Sequence, residues 1–415
     1  MPREIHTIRS LPPSTGVINR CSPRFARIPL ASVRLGSLAD RLLARTERGK
    51  EVAFVPTHTP NQLWTVSGAT HRPGADALGR ECNHNGRTMV DRLLKWADLE
   101  DGSRWDTLVV GNGLSINIWS DFAYSRLFER ASLKPAARQL FSDFKTQNFE
   151  MVLEALWHAE RTLTALGRRT TAITALYEHV QSALFQAVLK VHVPWTRIDR
   201  SALERISEAM SLHRFVFTLN YDLLTYWSAM ASGPTSAIRD FFWSQHNTFD
   251  INNATLEEGG TGLFYVHGGV HLWRDSKSGR TGKWTKRSGG ALLTRLEADF
   301  RSLPNRRPLL VSEGTSAQKM AVIRRSDYLT YALQALSENM TDTVIFGASF
   351  GDQDAHIIGA IASGRQRRIA ISIHPGTRAQ NDTAMAKYRA RFPEHRLAFF
   401  DSTSHPLGDP SLSVR

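Results

Sequence analysis

The sequence predicts an α/β fold, a mostly parallel, doubly wound sheet that carries a large helical insertion. Three observations point to it. Short apolar runs recur without polar alternation, which is the pattern of strands buried on both faces. Helical patterns separate several of these runs, and strand–helix alternation is the signature of a parallel sheet. The residues directly after each run are small, polar or hydrogen-bonding, and in such sheets ligands sit beyond the carboxyl ends of the strands.

Taken in chain order, residues 1–88 stand apart. They hold 13 Lys and Arg against 6 Asp and Glu, so more than half of the net charge of +13 lies there, and 12 of the 13 basic residues are Arg. The segment has poor periodicity and many Pro, Gly and His residues. It reads as a basic, partly disordered arm that touches phosphates or a partner, as an over-extended start with translation from Met89, or as a segment resembling an organelle transit peptide. The remaining domain is 89–415.

From Met89 the pattern sharpens. "MVDRLLKWADLE" places Val90, Leu93, Leu94 and Leu99 at helical spacing. A strand ends at Val110. A mainly helical region covers about 120–212. Asn148 is placed to cap the helix after it, in which Phe149, Val152, Leu153, Leu156 and Trp157 form one apolar stripe. Ile173, Leu176, Val180, Leu184 and Val188 repeat the logic. The later apolar runs are 214–219, 263–267, 308–312, 343–347, 368–374 and 396–400, with helical patterns at 316–338, 352–362 and 378–390. Residues 275–290 form a Gly/Ser/Lys-rich loop.

Composition narrows the function classes. A chain of 415 residues with 41% apolar and 22% charged residues is typical of a globular protein of one large or two ordinary domains. No apolar run approaches the roughly 20 residues needed to span a bilayer, so no membrane partner is expected. The opening "MPREIHTIRS" lacks the apolar core of a secretory signal. Cys21 and Cys82 are the only cysteines, which excludes a disulfide scaffold and a four-Cys zinc site. No metal is expected, and the cysteine usage fits a reducing, cytoplasmic compartment.

The candidate site residues follow the strands. Gly111 and Gly113 suit a backbone that must approach a pyrophosphate closely, with Asn112 between them and a helix N-terminus after them. Ser115 is placed to bond a phosphate or cap that helix. In "LNYDLL" Asn220 both donates and accepts, which suits a water or a ribose hydroxyl, and Asp222 suits an Asx-type brace on the loop. In "VHGGVHLW" His267 ends a buried strand and suits general-base work near neutral pH. His271 has no comparable context and no third ligand to make a metal pair. In "FGASFGDQDAHI" Gly347 and Ser349 follow a strand. Asp352 suits an N-cap, and Asp354 suits ribose hydroxyls or a backbone amide. Lys319 is expected on a solvated face or toward a phosphate. Each motif also has a plain structural explanation as a turn, a cap or a core histidine.

In this order the motifs resemble the sirtuin-like superfamily, and more closely the bacterial sirtuin-like proteins, which include an uncharacterised "domain of unknown function" family. "GNGLSI", "LNYDLL", "VHGGVHLW", "VSEGTS" and "FGASFGDQDAHI" carry the resemblance over about 100–375. It implies a Rossmann-like NAD-binding fold. Gly111, Gly113 and Ser115 match the phosphate loop, Asn220 the asparagine at the nicotinamide ribose, His267 the catalytic histidine, and Ser349 the serine on the ribose or phosphate side. The sequence departs from sirtuins at Leu219, where they have glutamine. It has no cysteine after Cys82 and no clear copy of the Gly-x-Pro-Asp-Phe-Arg segment, although Asp121-Phe122 lies near Ser115. These departures weigh against protein deacylation.

The resemblance therefore implies an NAD hydrolase that forms nicotinamide and ADP-ribose without zinc. Proteins of this reduced type include effectors of bacterial anti-phage defence, often oligomeric or paired with a second protein, so a homo-oligomer or a second defence protein is an expected partner. The alternatives are an NAD or ADP-ribose sensor without catalysis, a protein deacylase, and a nucleic-acid binder suggested by the basic 1–88 segment.

Overall fold

The computed structural model describes residues 93–414 except 101–103, 232, 234–237, 245, 286–291 and 313. The 1–88 extension, the start at Met89, Val90 of the first expected helix, Glu313 and the tail of the 275–290 loop lie outside the described residues.

Leu94 does not belong to a helix. Its N–H donates to Phe399 O at 3.0 Å and its carbonyl accepts Asp401 N–H at 2.9 Å, a parallel bridge beside Phe400. Pairing with the sheet overrides the helical spacing there, and helix α1 is short (Trp96–Glu100). Strand β1 (Thr107–Val110) follows, buried at every position.

The helical insertion lies between β1 and β2 and is as extensive as expected. It comprises α2 (Asn112–Ile118), α3 (Tyr124–Arg130), α4 (Pro135–Asp143), α5 (Phe149–Ala165), α6 (Thr171–Val191) and α7 (Arg200–Ser211). Asn148 caps α5 by accepting Glu150 N–H at 2.8 Å, which satisfies one of the free amides at a helix start. Phe149, Val152, Leu153 and Leu156 face the core, as do Val180, Leu184 and Val188 of α6.

Next come β2 (Phe215–Thr218), α8 (Leu224–Ala231), β3 (Ile238–Arg239), β4 (Thr261–Tyr265), β5 (Gly268–Asp275), β6 (Thr281–Lys283), α9 (Leu292–Ser302) and β7 (Arg306–Leu310). The chain ends with α10 (Ser316–Ile323), α11 (Asp327–Ser337), β8 (Thr343–Phe346), α12 (Ala355–Ala362), β9 (Arg368–Ile373), α13 (Arg378–Arg391) and β10 (Arg396–Asp401). The helical pattern over 316–338 is two helices, because Ser326 starts the second by accepting Leu329 N–H at 3.2 Å.

The main sheet has seven strands in the order β10-β9-β8-β1-β2-β4-β3, and its pairs are parallel. It is a Rossmann-like α/β sheet. The chain winds outward from β1 in one direction through β2 and in the other through β8, so the strand order reverses between β1 and β8. That reversal is where open α/β sheets bind ligands.

The 308–312 run is not part of this sheet. It forms β7, antiparallel to β5 in a three-stranded sheet of order β6-β5-β7. The turn after β4 sets this up. Gly268 has φ +78°, and a Cβ there would meet Leu309 O at 2.0 Å. Only glycine lets β7 approach that closely. Among the described residues no helix is long and apolar enough to cross a membrane.

Candidate functional site

The two glycines of the first loop serve close packing. Gly111 N–H donates to Phe346 O and Gly113 N–H to Gly347 O, both at 2.8 Å. A Cβ at Gly113 would meet Gly347 Cα at 2.6 Å, and one at Gly111 would meet Ala348 Cα at the same distance. The ends of β1 and β8 therefore touch backbone to backbone at the switch point. The amides of both glycines are already engaged, so in this conformation they are not free to cradle a phosphate.

Beside this crossing lies a cavity of about 150 Å³. Gly111, Asn112, Asn220, Asp222, His267 and Gly347 line it, and Ser349 and Asp354 line it beyond the end of β8. The segments that sequence reasoning placed at separate strand ends thus meet at one hollow. Gly113 packs against Gly347. Ser115 is fully buried and works through its neighbours. Asn112 gives its side-chain amide to Phe122 O at 3.1 Å.

The Asn220 turn is braced from several sides. Asn220 Nδ2 donates to Gly111 O at 3.1 Å and to Ser115 Oγ at 2.9 Å. The Ser115 hydroxyl donates to Asp222 Oδ2 at 2.5 Å, and Asp222 Oδ1 accepts Leu224 N–H at 2.8 Å. Asp222 therefore has the Asx role expected of it. His192 supports the same turn. Its Nε2 accepts Leu223 N–H at 2.9 Å while Nδ1 donates to Val193 O at 2.9 Å. Burial keeps this histidine's pKa below its usual value. With both donor contacts of the Asn220 amide turned inward, its carbonyl oxygen remains as the acceptor for the cavity.

His267 is 4% exposed. Its Nε2 lies 2.9 Å from Nε2 of His356, and His356 Nδ1 lies 3.2 Å from Ser316 Oγ. Burial, then the nearby Lys319 charge, then His356 push the His267 pKa well below the usual value. Burial and Lys319 lower His356 to about 4, against the pull of Asp354. Both rings are neutral near pH 7.

Lys319 corrects the expectation of a solvated face: it is buried, and it lines the cavity. It is 1% exposed, with Nζ 2.9 Å from Asp354 Oδ1 and 3.2 Å from Glu150 Oε1. This triad ties the start of α5 to the turn after β8. Burial raises the Glu150 carboxyl to about 7 despite the Lys319 charge, and Asp354 adds to the rise. Asp354 also accepts Gly351 N–H at 3.1 Å, the backbone-amide role. Asp352 does not cap this turn. Its exposed carboxylate lies 3.5 Å from Arg391, because the cap position is Gly351.

Sequence reasoning did not single out Glu150, Ser316 or His356. It also missed Lys387 and Arg391, whose side chains donate to backbone carbonyls of the 349–350 loop. They hold the loop whose Ser349 lines the cavity.

The family model of a domain of unknown function, DUF4917, matches residues 108–407. The chain belongs to the DUF4917 family. The match begins inside β1 and ends past β10, so this DUF4917 domain contains the main sheet, the helical insertion and the residues of the cavity. No curated protein matches the chain.

Proposed function

We propose that the chain is an NAD hydrolase, cleaving NAD to nicotinamide and ADP-ribose. The observation that carries the reading is the convergence of Asn220 and His267 on one cavity at the β1/β8 switch point. The sirtuin-like motif order supports it. Hydrolysis breaks the bond between the ribose C1′ and the nicotinamide nitrogen. The bond pair stays with the ring nitrogen, which leaves neutral, and a water oxygen bonds to C1′. The Asn220 carbonyl oxygen would orient that water or a ribose hydroxyl, and His267 would receive the proton.

The cavity is smaller than the roughly 300–1,000 Å³ usual for drug-sized ligands. On this reading the dinucleotide enters when α5 and the segment carrying Phe122 and Leu127 swing away, against the Lys319 triad. A resting site too small for the dinucleotide accords with a defence effector held inactive until triggered, in which an oligomeric contact or a second protein shifts the insertion.

One observation favours a second reading, an NAD or ADP-ribose sensor. His267 is a weak base in its buried setting, so the pocket would bind without cleaving. The test incubates purified full-length protein with NAD and separates the products by chromatography, beside Asn220→Ala and His267→Ala. General-base catalysis contributes roughly 100- to 10,000-fold, so His267→Ala should lose activity in that range while NAD binding persists. Full activity in His267→Ala overturns the assignment. Intact NAD with measurable binding selects the sensor.

A further inference from the structure

A groove of about 540 Å³ opens between α10, α11 and α12, on the far side of His356 from His267. Met320, Ile323, Leu333 and Ala360 form its apolar walls, and Ser316 and His356 are among the polar groups that line it. The same His356 bonds His267, which lines the cavity. One imidazole therefore lines the groove and bonds a residue that lines the cavity.

We propose that His356 and Ser316 form a proton relay joining His267 to solvent in the groove. This rests on the hydrolase reading for its reaction. The hydrogen bonds form an unbroken series, His267 Nε2 to His356 Nε2 at 2.9 Å and His356 Nδ1 to Ser316 Oγ at 3.2 Å. Ser316 Oγ also accepts His356 N–H at 2.9 Å, which fixes the hydroxyl at the ring. Two tautomer sets satisfy the series. In one, His267 Nε2–H donates to His356, His356 Nδ1–H donates to Ser316, and His267 Nδ1 is a free base. In the other, every donor is reversed.

Switching between the two sets moves one proton without leaving a charge on either ring. Water gives its oxygen to C1′ and its proton to His267 Nδ1. The Nε2 proton of His267 passes to His356 Nε2, the Nδ1 proton of His356 passes to Ser316 Oγ, and the original hydroxyl proton leaves to groove water. The products are nicotinamide, ADP-ribose and one proton. The relay answers a difficulty of the site. A buried imidazole beside Lys319 resists holding a positive charge, and here it need not hold one. The charged groups around the pair are Lys319 from α10, Asp354 from the turn before α12 and Glu150 from α5. His356 and Ser316 act through His267 and are positioning residues.

The test uses full-length protein. His356→Ala should lower kcat for NAD by about 10- to 1,000-fold with NAD affinity unchanged. Added imidazole should restore part of it by entering from the groove. His356→Gln, which fills the space but relays nothing, should be equally slow at a wild-type melting temperature. Wild-type kcat in His356→Ala, or a loss that imidazole does not rescue, overturns the relay. A second measurement needs no NAD turnover. Histidine-labelled protein should show nitrogen–nitrogen coupling across the His267–His356 bond, and exchange of the shared proton with water should slow in Ser316→Ala. Absence of coupling, or unchanged exchange, overturns the relay. A wild type that leaves NAD intact while showing both signals removes the hydrolase reading alone.

Discussion

Ser115 donates its hydroxyl to the buried carboxylate of Asp222, 107 residues away, at 2.5 Å. The same oxygen accepts the Asn220 amide. One small side chain thus fastens the β1 end of the sheet to the β2 end and sets which atom of Asn220 faces the cavity. Hydrogen bonds to charged groups are worth about 1.5–3 kcal/mol. Ser115→Ala should therefore lower unfolding free energy by about that amount in urea titration, and Ser115→Cys should not recover it. On the proposed NAD-binding reading, NAD affinity should fall as well, because the Asn220 amide loses one of its two acceptors.

The strands of the main sheet were legible because central parallel strands are buried on both faces and read as unbroken apolar runs. The Asn148 cap was legible because it is a local motif. Asn220 and His267 were legible by their place after a strand. What escaped depends on contacts distant in sequence. Lys319 lies on a helix that looks half-exposed, and only the packing of the insertion brings Glu150 to it across 169 residues. His356 reads as one polar position in a short helix, and its partner His267 is 89 residues away. The 308–312 run resembles the parallel strands, yet its pairing partner is chosen by the tight turn at Gly268. Leu94 fits a helical spacing, but the free edge of β10 takes it.

Lys319 pairs with two carboxylates that are 13% and 18% exposed. Removing one partner from a buried ion pair typically costs about 3–5 kcal/mol, because a charge is left in low dielectric. Lys319→Met should lose stability in that range by urea unfolding at pH 8. The double variant Lys319→Met with Glu150→Gln should recover part of the loss. A loss no smaller in the double variant would show that the Lys319 stem matters, and not its charge.

Glu150 makes the triad sensitive to pH. Its carboxyl is raised from 4.5 to about 7, with burial the leading cause. The folded state therefore binds its proton more tightly than the unfolded state. The associated stability is fully present below about 4.5 and is lost as pH rises through about 7. Glu150→Gln mimics the protonated form at every pH. It should melt with wild type at pH 4 and above wild type at pH 8.5, by about 2–4 °C for each kcal/mol, with the gap opening between about 4.5 and 7. A constant gap between the two pH values would contradict the shift.

His271 works in the opposite direction. It is fully buried against Tyr226 and Tyr265, with ring centroids 4.9 and 4.8 Å away. Neither ring nitrogen has a partner among the described residues. Burial, aided by Lys283, lowers its pKa from 6.5 to about 3. The unfolded chain therefore binds a proton that the folded chain refuses, and stability falls as pH drops from 6.5 toward 3. Each such histidine removes about 1.36 kcal/mol per pH unit in that window. His213 and His405 add to the slope, lowered by burial to about 4 and about 3. His271→Phe keeps an aromatic ring in the same contacts and removes the titrating group. Its stability should match wild type at pH 7.5 within about 1.5 kcal/mol and exceed it increasingly below pH 6, in urea titrations repeated at each pH. Parallel curves for the two proteins would mean that His271 has a proton-accepting partner in solution.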